Sequence, residues 1–182
     1  MALTKFHYSS EWETDLSGVV GFHPATMVRN LEPRDRMGAI KALVNRLHGS
    51  GYVTDSLRFL QSVLDREDLE STAVGNGIAF PHARCGSAAH LGMALGISTR
   101  GVDFHSDTHP EPVRLICLVA VPAEGDIRYL PLLGYLCRLF HEEFTETFLE
   151  SRTSEEMNRL LLRQMRLHGA LPEACIAHVP AT

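Results

Sequence analysis

Between positions 65 and 84 the chain reads Asp65-Arg66-Glu67-Asp68-Leu69-Glu70-Ser71-Thr72-Ala73-Val74-Gly75-Asn76-Gly77-Ile78-Ala79-Phe80-Pro81-His82-Ala83-Arg84. Several of these residue types are suited to holding an anion. Arg66 and Arg84 carry guanidinium groups, whose forked N–H donors match a phosphoryl group or a carboxylate. Gly75 and Gly77 lack Cβ atoms, so backbone N–H groups beside them can approach an anion closely. His82 adds an imidazole that is largely neutral near pH 7 and is therefore a nucleophile toward phosphorus. The competing reading is that His82 caps a strand and bonds a carbonyl. These residues alone leave both readings open.

A side chain in such a role needs a scaffold. The segment itself predicts a helix end, a small polar loop with two glycines, a short strand and then Pro81-His82 at the strand's end, where α/β sheets display functional groups. Upstream, a helix follows Pro33: Met37, Ile40, Leu43, Val44 and Leu47 recur at helical spacing, and Gly49 is placed to end it. Thr54 is the expected N-cap of a second helix with Leu57, Leu60, Val63 and Leu64 as its buried stripe. The period then changes. Residues 78–80 and 93–97 are short apolar segments. Residues 113–121, bounded by Pro112 and Pro122, are apolar at nearly every position after Arg114, as a central strand covered on both faces must be.

Helical spacing returns at Leu132, Leu133, Leu136, Leu139 and Phe140, with Pro131 tolerable only in a first turn. A last helix opens with a capping box from Thr153 to Glu156 and buries Met157, Leu160 and Leu161. Helices flanking a block of strands predict an α/β fold, a single layered domain with a central mixed β-sheet. The expected limits are an N-terminal extension over 1–19, the domain over 20–164 and an irregular C-terminal tail over 165–182.

The bulk properties narrow the function classes. The chain has 182 residues, 45% of them hydrophobic and 21% charged, enough for one domain with a real core. A net charge of −5 without a Lys/Arg run gives no footprint for nucleic acid. Residues 115–121 form the longest apolar stretch, too short to cross a bilayer, and no secretory signal is apparent, so no membrane insertion and a cytoplasmic location are expected. Cys85, Cys117, Cys137 and Cys175 are scattered and read as reduced thiols, Cys85 as a bystander to His82 and Cys117 as core. His90, His105 and His109 read as surface histidines on loop sequence rather than a metal site. Glu142-Glu143 and Glu155-Glu156 read as solvated helix surface and capping residues.

Gly77-Ile78-Ala79-Phe80-Pro81-His82-Ala83-Arg84, preceded by Arg66-Glu67 and Ser71-Thr72, resembles the active-site signature of the type-2 EIIA domains of the bacterial phosphotransferase system, the fructose, mannitol and nitrogen-related branch. Glu111-Pro112-Val113-Arg114-Leu115 with Val119-Ala120-Val121-Pro122 is similar to that family's central strand and its exit, and residues 130–140 to the helix after it. The likeness runs from about position 20 to 162. It implies that His82 is phosphorylated by an HPr-type donor and passes the group to an EIIB domain or signals by its state. It also implies that Arg66 balances the phosphoryl charge, that Thr72 and Ser71 line the site, and that Arg84 belongs to the motif. No metal or organic cofactor is implied.

The family carries a second histidine at the start of the helix after the central strand. Alignment on Leu130-Pro131-Leu132-Leu133 puts Tyr129 there, with Arg128 just before it. A tyrosine hydroxyl can donate a hydrogen bond to a phosphoryl oxygen but brings no imidazolium charge. The expected function is therefore a phosphohistidine phosphocarrier or regulator, and the nitrogen-related branch fits a chain without a fused EIIB or EIIC domain. The alternative is an EIIA-like binding module that recognises a transporter or kinase without relaying phosphate. An unrelated phosphate-binding enzyme would need a general base and a substrate pocket, for which no constellation is apparent.

Overall fold

The structure is a computed structural model that describes residues 22–124 and 129–168. Among these, a 3-10 turn at Pro24–Thr26 leads into strand β1 (Met27–Val28), followed by helices α1 (Arg36–Gly49) and α2 (Ser56–Leu69). Five further strands follow: β2 (Ala73–Gly75), β3 (Ile78–Ala79), β4 (His82–Cys85), β5 (Gly92–Val102) and β6 (Val113–Pro122). Helices α3 (Tyr129–Leu139), α4 (Glu142–Leu149) and α5 (Ser154–His168) complete the described chain. No helix among the described residues is long and apolar enough to cross a membrane.

β6 organises the sheet. It pairs antiparallel with β5 on one side and parallel with both β3 and β4 on the other; β1 adds parallel to β5 and β2 antiparallel to β3. The sheet is mixed, as expected. Because successive side chains of a strand point to opposite faces, the apolar run of β6 feeds two cores. Leu115, Cys117, Val119 and Val121 pack with Leu132, Leu136, Phe148 and Leu161 of α3, α4 and α5. Ile116, Leu118 and Ala120 pack with Leu43, Leu47, Phe59 and Val63 of α1 and α2.

Several boundaries differ from the sequence reading. α1 starts at Arg36 rather than in the turn after Pro33, because the Asp35 carboxylate caps it by accepting from Gly38 N at 2.8 Å. Its Met37 is exposed, and Ala39 takes a buried place. The N-cap of α2 is Asp55, which accepts from Arg58 N at 3.0 Å; Thr54 instead spends its N–H and hydroxyl on the Ser87 carbonyl. The buried stripe of α2 is Phe59, Val63 and Glu67, at intervals of four, and Leu57 is exposed. The glycine loop is a β2–β3 hairpin turn, and α4 is a separate helix capped by His141. Thr153 and Glu156 do cap α5, with Glu156 reaching back to Arg152 N at 2.6 Å. α5 buries Met157, Leu161 and Met165 and runs to His168, so the chain is still helical where an irregular tail was expected to begin.

Candidate functional site

His82 is the first residue of β4, in register with Val119 of β6, and only 8% of it is exposed. Its Nδ1 lies 2.9 Å from the Phe80 carbonyl oxygen. A carbonyl only accepts, so Nδ1 carries the proton and the ring's lone pair is on Nε2. The two readings left open by the sequence are thus compatible: the histidine bonds a carbonyl, and that bond prepares its other nitrogen. Burial holds the imidazole below its ordinary pKa, and the Arg66 charge acts the same way, while the Phe80 hydrogen bond and the Glu67 charge oppose them. The net direction is downward, which favours the neutral ring.

The other expected residues fall into two groups. Tyr129 opens α3, and its ring stands 5.5 Å from the His82 ring at 45°, where the alignment put it. Arg66, in the last turn of α2, donates from Nη1 to the Glu70 carbonyl at 2.9 Å and acts on His82 through its charge. Arg84 is exposed two residues along β4, on the same face as His82 by alternation. Thr72 is buried, and both its N–H and its hydroxyl donate to the carboxylate of Glu67, at 2.8 and 2.7 Å. Arg128 lies outside the described residues.

Gly75 and Gly77 are not brought to the imidazole. With Asn76 they make the hairpin turn, at φ of 92°, 53° and 67° in order. Gly77 packs against Pro112 and Arg114, and its carbonyl accepts from Arg114 N and Leu115 N. Five residues of extended chain, about 16 Å, separate it from His82. The glycines serve the turn, which needs left-handed backbone, in place of the anion contact expected of them. Ser71 also turns away: its hydroxyl donates to the Phe104 carbonyl at 3.2 Å, on the α1–α2 side.

The remaining candidates separate as well. Cys85, three residues from His82, faces the opposite side of the sheet, with the α1–α2 core. The Cys117 thiol is fully buried and pushed up by that burial. His105 pairs with Asp103 at 3.0 Å and His109 lies 3.9 Å from Glu111, and among the described residues no three His, Cys, Asp or Glu side chains gather as a metal would require. Cys175 lies outside the described residues. One residue was missed. Glu67 is 2% exposed and sits at the join between α2 and the site. Its signal was the spacing Phe59, Val63, Glu67, which places a carboxylate on a buried stripe.

A layered α/β domain whose mixed sheet presents a buried histidine, protonated at Nδ1, against a helix start defines the class. Residues 22–164 match the family described as phosphoenolpyruvate-dependent sugar phosphotransferase system, EIIA 2, and the chain belongs to it. The fructose-specific EIIA component of Haloferax volcanii is 31% identical over 150 residues, which cover 81% of this chain and 95% of that protein. Among solved structures, nitrogen regulatory protein IIA-Ntr from Neisseria meningitidis shares the fold with a TM-score of 0.70 at 22% identity, covering 80% of this chain and 98% of that one. The IIA mannitol component of Escherichia coli, solved in complex with phosphorylated IIB mannitol, gives 0.68 at 20% identity, over 79% and 98% of the two chains.

Proposed function

We propose that this chain is a phosphohistidine carrier or regulator that accepts a phosphoryl group on Nε2 of His82 from an HPr-type donor in the cytoplasm. In the transfer, the phosphorus–nitrogen bond of the donor's phosphohistidine breaks and a bond from phosphorus to Nε2 forms. The donor imidazole keeps the bonding pair, and the proton of His82 stays on Nδ1, still donated to the Phe80 carbonyl. The observation that carries this reading is that hydrogen bond, because it leaves the lone pair on Nε2. Positioning and charge balance do most of the work in phosphoryl transfer, and Arg66 supplies the balancing cation. Arg84 stands along the strand for a phosphoryl oxygen or a docking partner. The onward acceptor is an EIIB domain, as the Escherichia coli complex supports, or the phosphorylation state is itself read by a transporter or kinase.

Incubation with a phospho-HPr protein should place one acid-labile phosphate on the wild type and none on His82→Ala. An unlabelled wild type, beside a control EIIA that is labelled, would refute the assignment.

Tyr129 supports a second reading. Its ring stands 5.5 Å from that of His82, where the family resemblance implies a second histidine, and offers a hydroxyl without imidazolium charge. A module that recognises a partner without relaying phosphate would then use this same face. It predicts identical partner capture by wild type, His82→Ala and His82→Asp, together with no phosphorylation. The carrier reading predicts that the histidine variants change capture.

A further inference from the structure

The carboxylate of Glu67 is buried at the end of α2, and no Lys or Arg forms an ion pair with it among the described residues. A buried anion needs hydrogen bonds, and Thr72 supplies two: N–H to Oε1 at 2.8 Å and hydroxyl to Oε2 at 2.7 Å. The chain of bonds continues to the nucleophile. The carbonyl of Thr72 accepts from Phe80 N at 3.1 Å, and the carbonyl of Phe80 accepts from Nδ1 of His82 at 2.9 Å. Glu67 is thereby connected to the imidazole through two intervening residues.

Two consequences follow for a phosphoryl group on Nε2. The single hydroxyl proton of Thr72 is committed to the carboxylate, so that hydroxyl has no proton left to donate to a phosphoryl oxygen. The carboxylate charge also acts on the ring, as its upward influence on His82 shows, and the same negative charge opposes an incoming dianion.

We propose that Glu67 is a positioning residue that keeps the phosphoryl group on His82 easy to pass on, by withholding the Thr72 hydroxyl and by opposing the phosphoryl charge. The proposal rests on the phosphocarrier reading and names a regulator of that site's transfer equilibrium. Arg66 and Glu67 of α2 act in opposite directions on the ring, the Tyr129 ring of α3 stands 5.5 Å from it, and Arg84 lies two residues along β4 on the same face.

The test is the partition of phosphate between the full chain and a purified HPr protein at equilibrium, read for wild type, Glu67→Gln and Thr72→Val. The glutamine amide can keep both bonds to Thr72, accepting at Oε1 and donating at Nε2, which frees the hydroxyl proton and removes the charge. Glu67→Gln should shift the partition toward phospho-His82 about tenfold, the equivalent of one unit in an ionisation constant. Thr72→Val removes only the hydroxyl that Glu67 already withholds and leaves the Thr72 N–H on the carboxylate, so it should not reproduce the tenfold shift and should stay within about twofold of the wild type. A residue that only supports the fold would weaken both variants in the same direction, and that result, or a shift below about twofold in folded Glu67→Gln, overturns the proposal. A second readout is the His82 titration midpoint by NMR, which should fall in Glu67→Gln. If HPr leaves even the wild type unlabelled, the phosphocarrier reading fails, and an unchanged midpoint would then separately overturn the part given to Glu67.

Discussion

The Phe80 carbonyl decides which nitrogen of His82 holds the proton, and burial decides that the ring prefers to hold only one. This has a consequence for stability. An unfolded histidine titrates at about pH 6.5, and the folded value lies below it. Between the two values the unfolded chain binds more protons, so the His82 contribution is fully present above about pH 6.5 and is lost as the pH falls through that window. The urea midpoint of the wild type should therefore drop more between about pH 7.5 and 5 than that of His82→Gln, which has nothing to titrate. Parallel slopes would mean that the ring is not shifted. Tyr129 makes a kinetic prediction at the same scale. Tyr129→His places a second imidazole where the tyrosine ring now meets His82, and its protonated form adds positive charge facing the phosphoryl oxygens. Loading of His82 from HPr near pH 6.5 should speed up about tenfold, measured by rapid quench. An unchanged rate would mean that the tyrosine hydroxyl already supplies what the second histidine would.

Elements, more than single residues, decide which side chains meet. α2 ends with Arg66, which bonds the Glu70 carbonyl, and Glu67, which bonds Thr72; their opposite charges act on the imidazole, and the chain then turns through Thr72 into the hairpin. The hairpin glycines belong to a different task. Gly77 has φ of +67°, and a Cβ there would stand 3.3 Å from the Pro112 carbonyl, so Gly77→Ala should cost about 1–2 kcal/mol in urea unfolding. Since the turn is remote from His82, the folded variant should still be labelled by HPr at the wild-type rate. A labelling defect in the folded protein would return the glycines to the phosphate site. β6 was legible because it is apolar at nearly every position, as a central strand must be, whereas β5 showed only its apolar start at 93–97 because its second half, from Ser98 to Gly101, is polar. The stripe of α2 was misplaced because Leu57 fits helical spacing as well as Phe59 does; only the contacts with β4 choose between them. Arg66, His82 and Tyr129 were legible through the family signature. Glu67 was not given a role because a carboxylate on a buried stripe reads as surface until its partner, Thr72, is seen to take both oxygens.

At the scale of the molecule, the sheet is closed on one face by α1 and α2 and on the other by α3, α4 and α5, and His82 stands where α2, β4 and the start of α3 converge. The face behind His82 therefore depends on α5 being complete. Met157, Leu161 and Met165 are its buried residues, in the same core as Val119, the β6 partner of His82, and Leu132 of α3. Met165 is 2% exposed. We propose that the folding unit extends through the last turn of α5, past the limit at residue 164 that the sequence pattern marks. Ending the chain after residue 164 removes Met165 and the closing turn around it, and the lost burial is worth about 2–3 kcal/mol. A chain ending at residue 168 keeps both. The shorter chain should therefore unfold at a clearly lower urea concentration than the longer one. It should also load His82 more weakly near its own midpoint. Equal midpoints would place the structural end of the domain before Met165 and leave that side chain without a part in holding the site.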